Sequence, residues 1–266
     1  INLKKIFNKK RVLVTGHTGF KGSWLSLILN YFGATILGVS DSVPTNPSHF
    51  KIYKNLKKFK SKKADISNKD KIKKIIFDYN PDFIFHLAAQ ALVKKSYLNP
   101  IKTWRSNTFG TLNILDALRD YKKKVVVVLI TSDKVYKNIE KKTGYKETDL
   151  LGGKDPYSAS KTAAEIVITS YMESFLLKKN NLSTVIARAG NVVGGGDWSE
   201  NRLIPDCVKA WSKNKKVIIR NPKSTRPWQH VLESAAGYLL LASSLKKNKQ
   251  LHGEAFNFGP NNTKDY

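Results

Sequence analysis

Short apolar runs and longer amphipathic stretches alternate along this chain. Arg11–Thr15 (RVLVT) is a β-branched run that stops at Gly16. Residues 22–32 follow as a helix with Trp24, Leu25, Leu27, Ile28, Leu29 and Phe32, and 35–39 as a second strand. From Lys69 to Tyr79 the apolar Ile72, Ile75, Ile76 and Tyr79 recur at helical spacing, and Pro81 ends the helix. A third strand region is expected before Asp65 and another strand at 83–87. A long helix is expected at 101–121. Residues 125–131 are apolar on both faces, as a strand inside a parallel sheet should be. A second long helix at 156–177 leads to a sixth strand at 183–188. The pattern predicts an α/β fold, a doubly wound parallel sheet covered by helices on both faces.

After Gly190 the pattern changes to Gly-, Trp-, Pro- and Arg-rich loops between short helices. We therefore expect one domain over residues 1–187 and a smaller lobe over 188–266, with a late strand at 255–259 returning to the sheet. The chain opens without Met, with a basic segment that enters a strand at once, and it stops at Tyr266 without a closing helix. Residues are expected to be missing at both ends, leaving the smaller lobe truncated.

Composition narrows the class. One cysteine, Cys207, excludes a disulfide framework and fits a reducing compartment, so a cytoplasmic location is expected. No apolar run reaches eighteen residues and no signal peptide precedes the first strand, so no membrane partner is expected. Five scattered histidines and the lone cysteine give no metal constellation; no metal is expected. The net charge is +27, yet only seven of the 47 basic residues are arginine. Lysine is spread through most segments rather than clustered with aromatics. That distribution reads as solvated surface, and no nucleic-acid partner is expected.

Two motifs carry chemistry. Thr15-Gly-His-Thr-Gly-Phe-Lys-Gly22 leaves the first strand and opens the first helix. Glycines there allow a tight turn and let backbone N–H groups approach a pyrophosphate at a helix N-terminus. Asp41 lies nineteen residues beyond Gly22, at the end of the second strand. A carboxylate there would accept from an adenine ribose and repel a 2′-phosphate, favouring NAD over NADP; the alternative is an ordinary turn Asp. Asp65 and Ile66 would border the adenine, or serve as a helix cap. The second motif is Tyr157-Ser-Ala-Ser-Lys161, with both functional side chains on one helix face. A nearby ammonium would lower the phenol pKa, so that Tyr157 takes a proton from a sugar hydroxyl while hydride leaves for a nicotinamide. Ser132, ending the preceding strand, would orient that hydroxyl.

These residues, with His86-Leu-Ala-Ala-Gln90 and Asn107-Thr-Phe-Gly-Thr-Leu-Asn113, resemble the extended short-chain dehydrogenase/reductase family over nearly the whole chain. Within it the chain resembles the nucleotide-sugar 4,6-dehydratases. The resemblance implies a Rossmann domain that holds NAD through Gly16, Thr18, Gly19, Phe20, Gly22, Asp41, Asp65, Ile66, Leu87, Ala88, Ala89, Tyr157 and Lys161. The catalytic set would be Ser132, Asp133, Lys134, Tyr157 and Lys161. Asp133-Lys134 stands where dehydratases that act on dTDP-glucose carry Asp-Glu, and resembles the pair of those that act on CDP-glucose. The implied reaction is redox-neutral loss of water across C5–C6, with Lys134 as base and Asp133 as acid, giving a 4-keto-6-deoxy sugar for surface polysaccharide. Asn107, Asn191, Arg202, Arg220, Arg226 and His230 would contact the nucleotide sugar. A homodimer through the helices at about 101–121 and 156–177 is the family expectation. The rival readings are a 4-epimerase or another nucleotide-sugar dehydratase on the same fold, or a basic nucleic-acid-binding domain without catalysis.

Overall fold

The computed structural model describes residues 1–260 apart from 54, 142, 220 and 221. Among the described residues nine strands are defined: β1 (Arg11–Thr15), β2 (Thr35–Ser40), β3 (Phe59–Lys63), β4 (Phe83–His86), β5 (Val125–Ile130), β6 (Leu182–Ala189), β7 (Val192–Val193), β8 (Gln229–His230) and β9 (Ala255–Phe258). Seven form one sheet in the order β3-β2-β1-β4-β5-β6-β9, and every pairing is parallel. The order reverses between β1 and β4. In an open α/β sheet the ligand crevice lies at that reversal, beyond the C-terminal strand ends.

The strand pleat sorts side chains between two cores. Val12, Val14, Phe83, Phe85, Val126, Val128 and Val185 face one side, against Leu25 and Leu29 of the helix Phe20–Tyr31 and Tyr238 and Leu239 of the helix Val231–Lys247. Leu13, Ile84, Val127, Leu129 and Ile186 face the other. There they meet Ile72, Ile75 and Ile76 of the helix Lys69–Tyr79, Ile114 and Leu118 of the helix Gly110–Asp120, and Ile168 of the helix Pro156–Tyr171. The apolar stripe read from Lys69–Tyr79 is the buried face of that helix.

Several expectations are corrected. The chain does not enter a strand at once: a five-residue helix, Leu3–Phe7, is capped by Asn2 and buries Phe7 against Phe83. The helix expected at 101–121 is three pieces, Pro100–Trp104, one π-helical turn at Arg105–Phe109, and Gly110–Asp120. The helix expected at 156–177 is Pro156–Tyr171 followed by a π-helical turn, Met172–Leu176. Beyond residue 187 the helices are not all short. Val231–Lys247 runs for seventeen residues and packs into the main core, and β9 extends the main sheet beside β6. The only strand pair outside the sheet is, among the described residues, β7 with β8.

Candidate active site

The glycine loop is built by mutual contact. Gly16 has φ +76°, and a Cβ on it would stand 2.7 Å from the Ala88 amide nitrogen. The loop therefore lies flat against the end of β4, where Thr15 accepts Leu87 N–H through its carbonyl and Ala88 N–H through its hydroxyl. Gly19 N–H donates to the Gly16 carbonyl at 3.1 Å. Gly19 also caps the helix Phe20–Tyr31 without a side-chain acceptor, so the first-turn amides keep no side-chain cap. Thr18 donates its hydroxyl to the Ser42 carbonyl at 2.7 Å and ties the loop to the exit of β2. Asp41 sits exposed at that exit and accepts from the Ser42 hydroxyl. A polar concavity beside it is lined by Thr18, Phe20, Ser23, His49, Gly196 and Trp198.

Asp65 and Ile66 meet the same region differently. Asp65 accepts Ser67 N–H at 2.8 Å and is otherwise exposed, so it makes a local turn. Ile66 is buried and its carbonyl accepts from Asn113. His17 and His86 are structural. His17 lies between the hydroxyls of Ser40 and Ser61, and burial pushes it down to about 4. His86 bridges Thr15 and Thr111, and burial, with the Lys161 charge, pushes it down to about 3.

The residues expected to react gather at the end of β5. Ser132 caps a short turn, Asp133–Val135: its hydroxyl donates to Asp133 at 3.0 Å and accepts Lys134 N–H at 3.2 Å. Asp155 starts the helix Pro156–Tyr171 by accepting Tyr157 N–H and Ser158 N–H, and Ser158 returns the bond to close a capping box. That cap fixes Tyr157 in the first turn and Lys161 one turn on. Both are buried. The phenol does not behave as expected. Burial pushes Tyr157 up from its ordinary value; the Ser132 hydrogen bond and the Arg202 charge pull it down, and Asp133 and Asp155 push it up. Lys161 lies one turn further along the same helix. Its ammonium donates to the Ile130 carbonyl at 3.3 Å, and burial pushes it down to about 8.

The expected substrate contacts divide. Asn107, 1 % exposed, is corrected to a structural role. Its amide donates to the Gln90 carbonyl and the Ser160 hydroxyl, and its carbonyl accepts Gln90 N–H, so the π-helical turn is stitched to the β4 exit and to the Tyr157 helix. His230 is exposed and its Nδ1 caps the helix Val231–Lys247. Arg202 does reach the site, held by Asp197 at 2.8 Å and close enough to influence Tyr157 and Lys21. Asn191 is half-buried where β6 leaves for β7, and its carbonyl accepts Gln229 N–H. Arg226 is exposed and donates to the neighbouring Thr225 carbonyl. Arg220 lies outside the described residues.

Lys21 was missed. It donates to Tyr238 at 3.4 Å, and its ammonium is pushed down to about 8 by burial, then by Arg202 and Lys161, with Asp133 opposing. The signal was present: a cation in the first turn of a helix opposes the macrodipole.

A model of the family described as GDP-mannose 4,6 dehydratase matches residues 13–264. The chain is 44 % identical over 261 residues to the CDP-glucose 4,6-dehydratase of Salmonella typhimurium, covering 97 % of this chain and 73 % of that protein. It is 28 % identical to the CDP-paratose 2-epimerase of Salmonella typhi, covering 94 % and 78 %. Among solved structures, a double mutant of the dTDP-glucose 4,6-dehydratase of Streptomyces venezuelae, with NAD bound, superposes with a TM-score of 0.81 at 22 % identity. That match covers 94 % of this chain and 75 % of the other, and shows the shared fold. By the span of the family match, and by the identity to its dehydratase relative, the chain belongs to the GDP-mannose 4,6-dehydratase family.

Proposed function

We propose that the chain is an NAD-dependent, redox-neutral dehydratase that converts CDP-glucose to CDP-4-keto-6-deoxyglucose. One observation carries the reading: Asp133 and Lys134 stand on the Ser132 turn at the end of β5, beside the buried Tyr157 and Lys161. A 4-epimerase needs the oxidation groups alone. The relative at 44 % identity, a CDP-glucose 4,6-dehydratase, supports the same substrate.

The cradle fits a dinucleotide. Gly16 leaves no room for a Cβ, and the helix N-terminus behind Gly19 is without a side-chain cap. A pyrophosphate would lie on that N-terminus, with the adenine ribose at Asp41. NAD bound there supplies the acceptor for hydride from C4 and the donor that returns it to C6. Tyr157 takes the C4 hydroxyl proton, with Ser132 orienting that hydroxyl. The resulting 4-keto group acidifies C5, Lys134 removes the C5 proton, Asp133 protonates the departing C6 hydroxyl, and Lys134 gives a proton back to C5 when C6 is reduced. Arg202 and Asn191 would contact the sugar diphosphate. The lone Cys207 fits a reducing compartment such as the cytoplasm; the product would feed deoxysugars of surface polysaccharide.

The partner copy belongs to the same reading. Tyr97, Leu98, Ile101, Phe109 and Ile166 are each more than half exposed, on helices that pack together around the Tyr157 helix. They are the surface of a homodimer. The test of function is incubation with CDP-, dTDP-, UDP- and GDP-sugars and detection of the 4-keto product. Formation of a 4-epimer with no loss of water would overturn the dehydratase reading.

A further inference from the structure

The two residues that bracket the acid–base turn are tied to opposite halves of one buried ion pair. Glu165 is 1 % exposed and Arg188 5 %. Arg188 donates through Nε to both carboxylate oxygens at 2.9 Å, and through Nη2 to Oε2. Thr131, just before Ser132, donates its hydroxyl to Glu165 at 2.6 Å. Tyr136, just after Val135, accepts from Arg188 Nη1 at 2.8 Å, and its ring packs against the guanidinium. The phenol of Tyr136 then donates to Asn257 of β9 at 2.7 Å. Asn257 in turn holds Glu147 and Tyr145, and Tyr145 stacks on Tyr136. Glu165 also lies one helical turn beyond Lys161 and two beyond Tyr157 on the same helix.

An ion pair this buried loses much of its Coulomb gain to desolvation, and an apolar replacement of the same volume often matches it in stability. What apolar packing lacks is direction. Here three directed bonds radiate from the pair, to Thr131 and Tyr136 on either side of the turn and to the Glu147 carbonyl, while the pair itself joins the helix of Tyr157 and Lys161 to β6.

We propose that Glu165 and Arg188 are positioning residues, and that their ion pair sets where Asp133 and Lys134 stand relative to Tyr157 and Lys161. The proposal rests on the dehydratase reading for its chemistry. Without the pair the turn would shift along the end of β5, and elimination would suffer before C4 oxidation does. A displacement near 1 Å costs on the order of 10²-fold in rate.

Removing either charge would leave its partner buried and unpaired, so the test uses the spokes. Thr131→Val and Tyr136→Phe each delete one bond to the pair and keep the side-chain shape; Thr131→Ser restores the hydroxyl. Two measurements are made on each. One is the rate of solvent-deuterium entry at C5 of CDP-glucose, beside the rate of C4 oxidation and the KM. The other is backbone hydrogen exchange across 131–136 against the helix 156–171. We expect Thr131→Val and Tyr136→Phe to slow C5 exchange by about 10-fold or more with KM changed by less than about twofold. Exchange should quicken at 131–136 alone, and Thr131→Ser should behave as wild type. Unchanged exchange at 131–136, or loosening spread equally over both segments, would overturn the proposal. If wild type makes no 4-keto sugar, the reaction reading fails, and the hydrogen-exchange comparison still decides the frame.

Discussion

A Cβ on Gly22 would stand 2.2 Å from the carbonyl oxygen of Gly16. The first turn of the helix Phe20–Tyr31 is thus pressed directly on the loop that leaves β1, and neither backbone has room to give. Gly22→Ala should push the helix off the loop. We expect NAD affinity to fall by more than tenfold and stability by about 1–3 kcal/mol, as for other overpacked sites. Fluorescence titration with NAD and thermal unfolding read both. Wild-type affinity in that variant would show that the cradle tolerates the clash.

Tyr157 should define an alkaline-going limb. Burial raises its pKa, so at neutral pH the resting phenol holds its proton. The rate of C4 oxidation should therefore rise with pH until the phenol titrates. Arg202 favours the phenolate, so Arg202→Met should move that limb to higher pH. Tyr157→Phe should lose on the order of 10²–10⁴-fold in oxidation. A pH-rate profile with a deuterium label at C4 reports the step; a flat profile would mean another group takes the proton.

Lys134→Met should part elimination from oxidation. The thioether cannot accept the C5 proton, so the 4-keto glucose should form and accumulate with little deuterium at C5. Asp133→Asn should stall at the same point, because an amide cannot protonate the C6 hydroxyl. Mass spectrometry of the sugar in heavy water distinguishes the species. Undiminished C5 exchange in Lys134→Met would assign the base elsewhere and leave Asp133-Lys134 a surface pair.

Local chemistry was the legible part of this sequence. The glycine triplet, the Tyr157–Lys161 spacing and the all-apolar β5 each announce themselves within a few residues, because the backbone requirement and the side chain that meets it are adjacent. β3 gave no clear period: it is an edge strand in which Phe59 alone is buried and Ser61 reaches His17, and its exposed lysines guard the open edge. Asn107 was a substrate contact only by family resemblance, and the π-helical turn in which it bonds Gln90 and Ser160 leaves no mark in hydrophobic spacing. Glu165 and Arg188 are separated by 23 positions and meet only when the helix lies on the sheet. An arginine inside the apolar run of β6 was nonetheless a clue, since a buried guanidinium demands a partner.

Acid should unfold the protein partly through two histidines. The folded pKa of His86 is depressed to about 3 and that of His17 to about 4, against about 6.5 unfolded. The unfolded chain binds more protons below pH 6.5, so stability is full above that value and falls as pH drops toward 4. Each histidine contributes up to about 1.4 kcal/mol per pH unit across that window. Urea unfolding at pH 7 and pH 5 measures the loss. His86→Gln should be less stable at pH 7 and show a shallower pH slope; an unchanged slope would mean that His86 takes up protons alike in the folded and unfolded chain.

CDP-glucose should be preferred over the dTDP, UDP and GDP sugars. The motive lies in the acid–base turn. Lys134 stands where dehydratases of the dTDP sugar carry a carboxylate, and the loop Gly194–Trp198 that follows Asn191 brings Asp197 and Arg202 together beside Tyr157. A site that hydrogen-bonds the cytosine amino group leaves buried acceptors unpaired when uracil or thymine enters. Such a mismatch is worth up to about 10⁴-fold in kcat/KM, whereas a methyl group alone is worth about 10–200-fold. The expected order is therefore CDP-glucose first by orders of magnitude, with the dTDP and UDP sugars well behind it. Steady-state kcat/KM on the four substrates at matched salt provides the ranking. Equal or better turnover of dTDP-glucose would overturn the base preference while leaving the hydride cycle at Tyr157 intact, because the groups that read the base and those that oxidise C4 lie at opposite ends of the substrate.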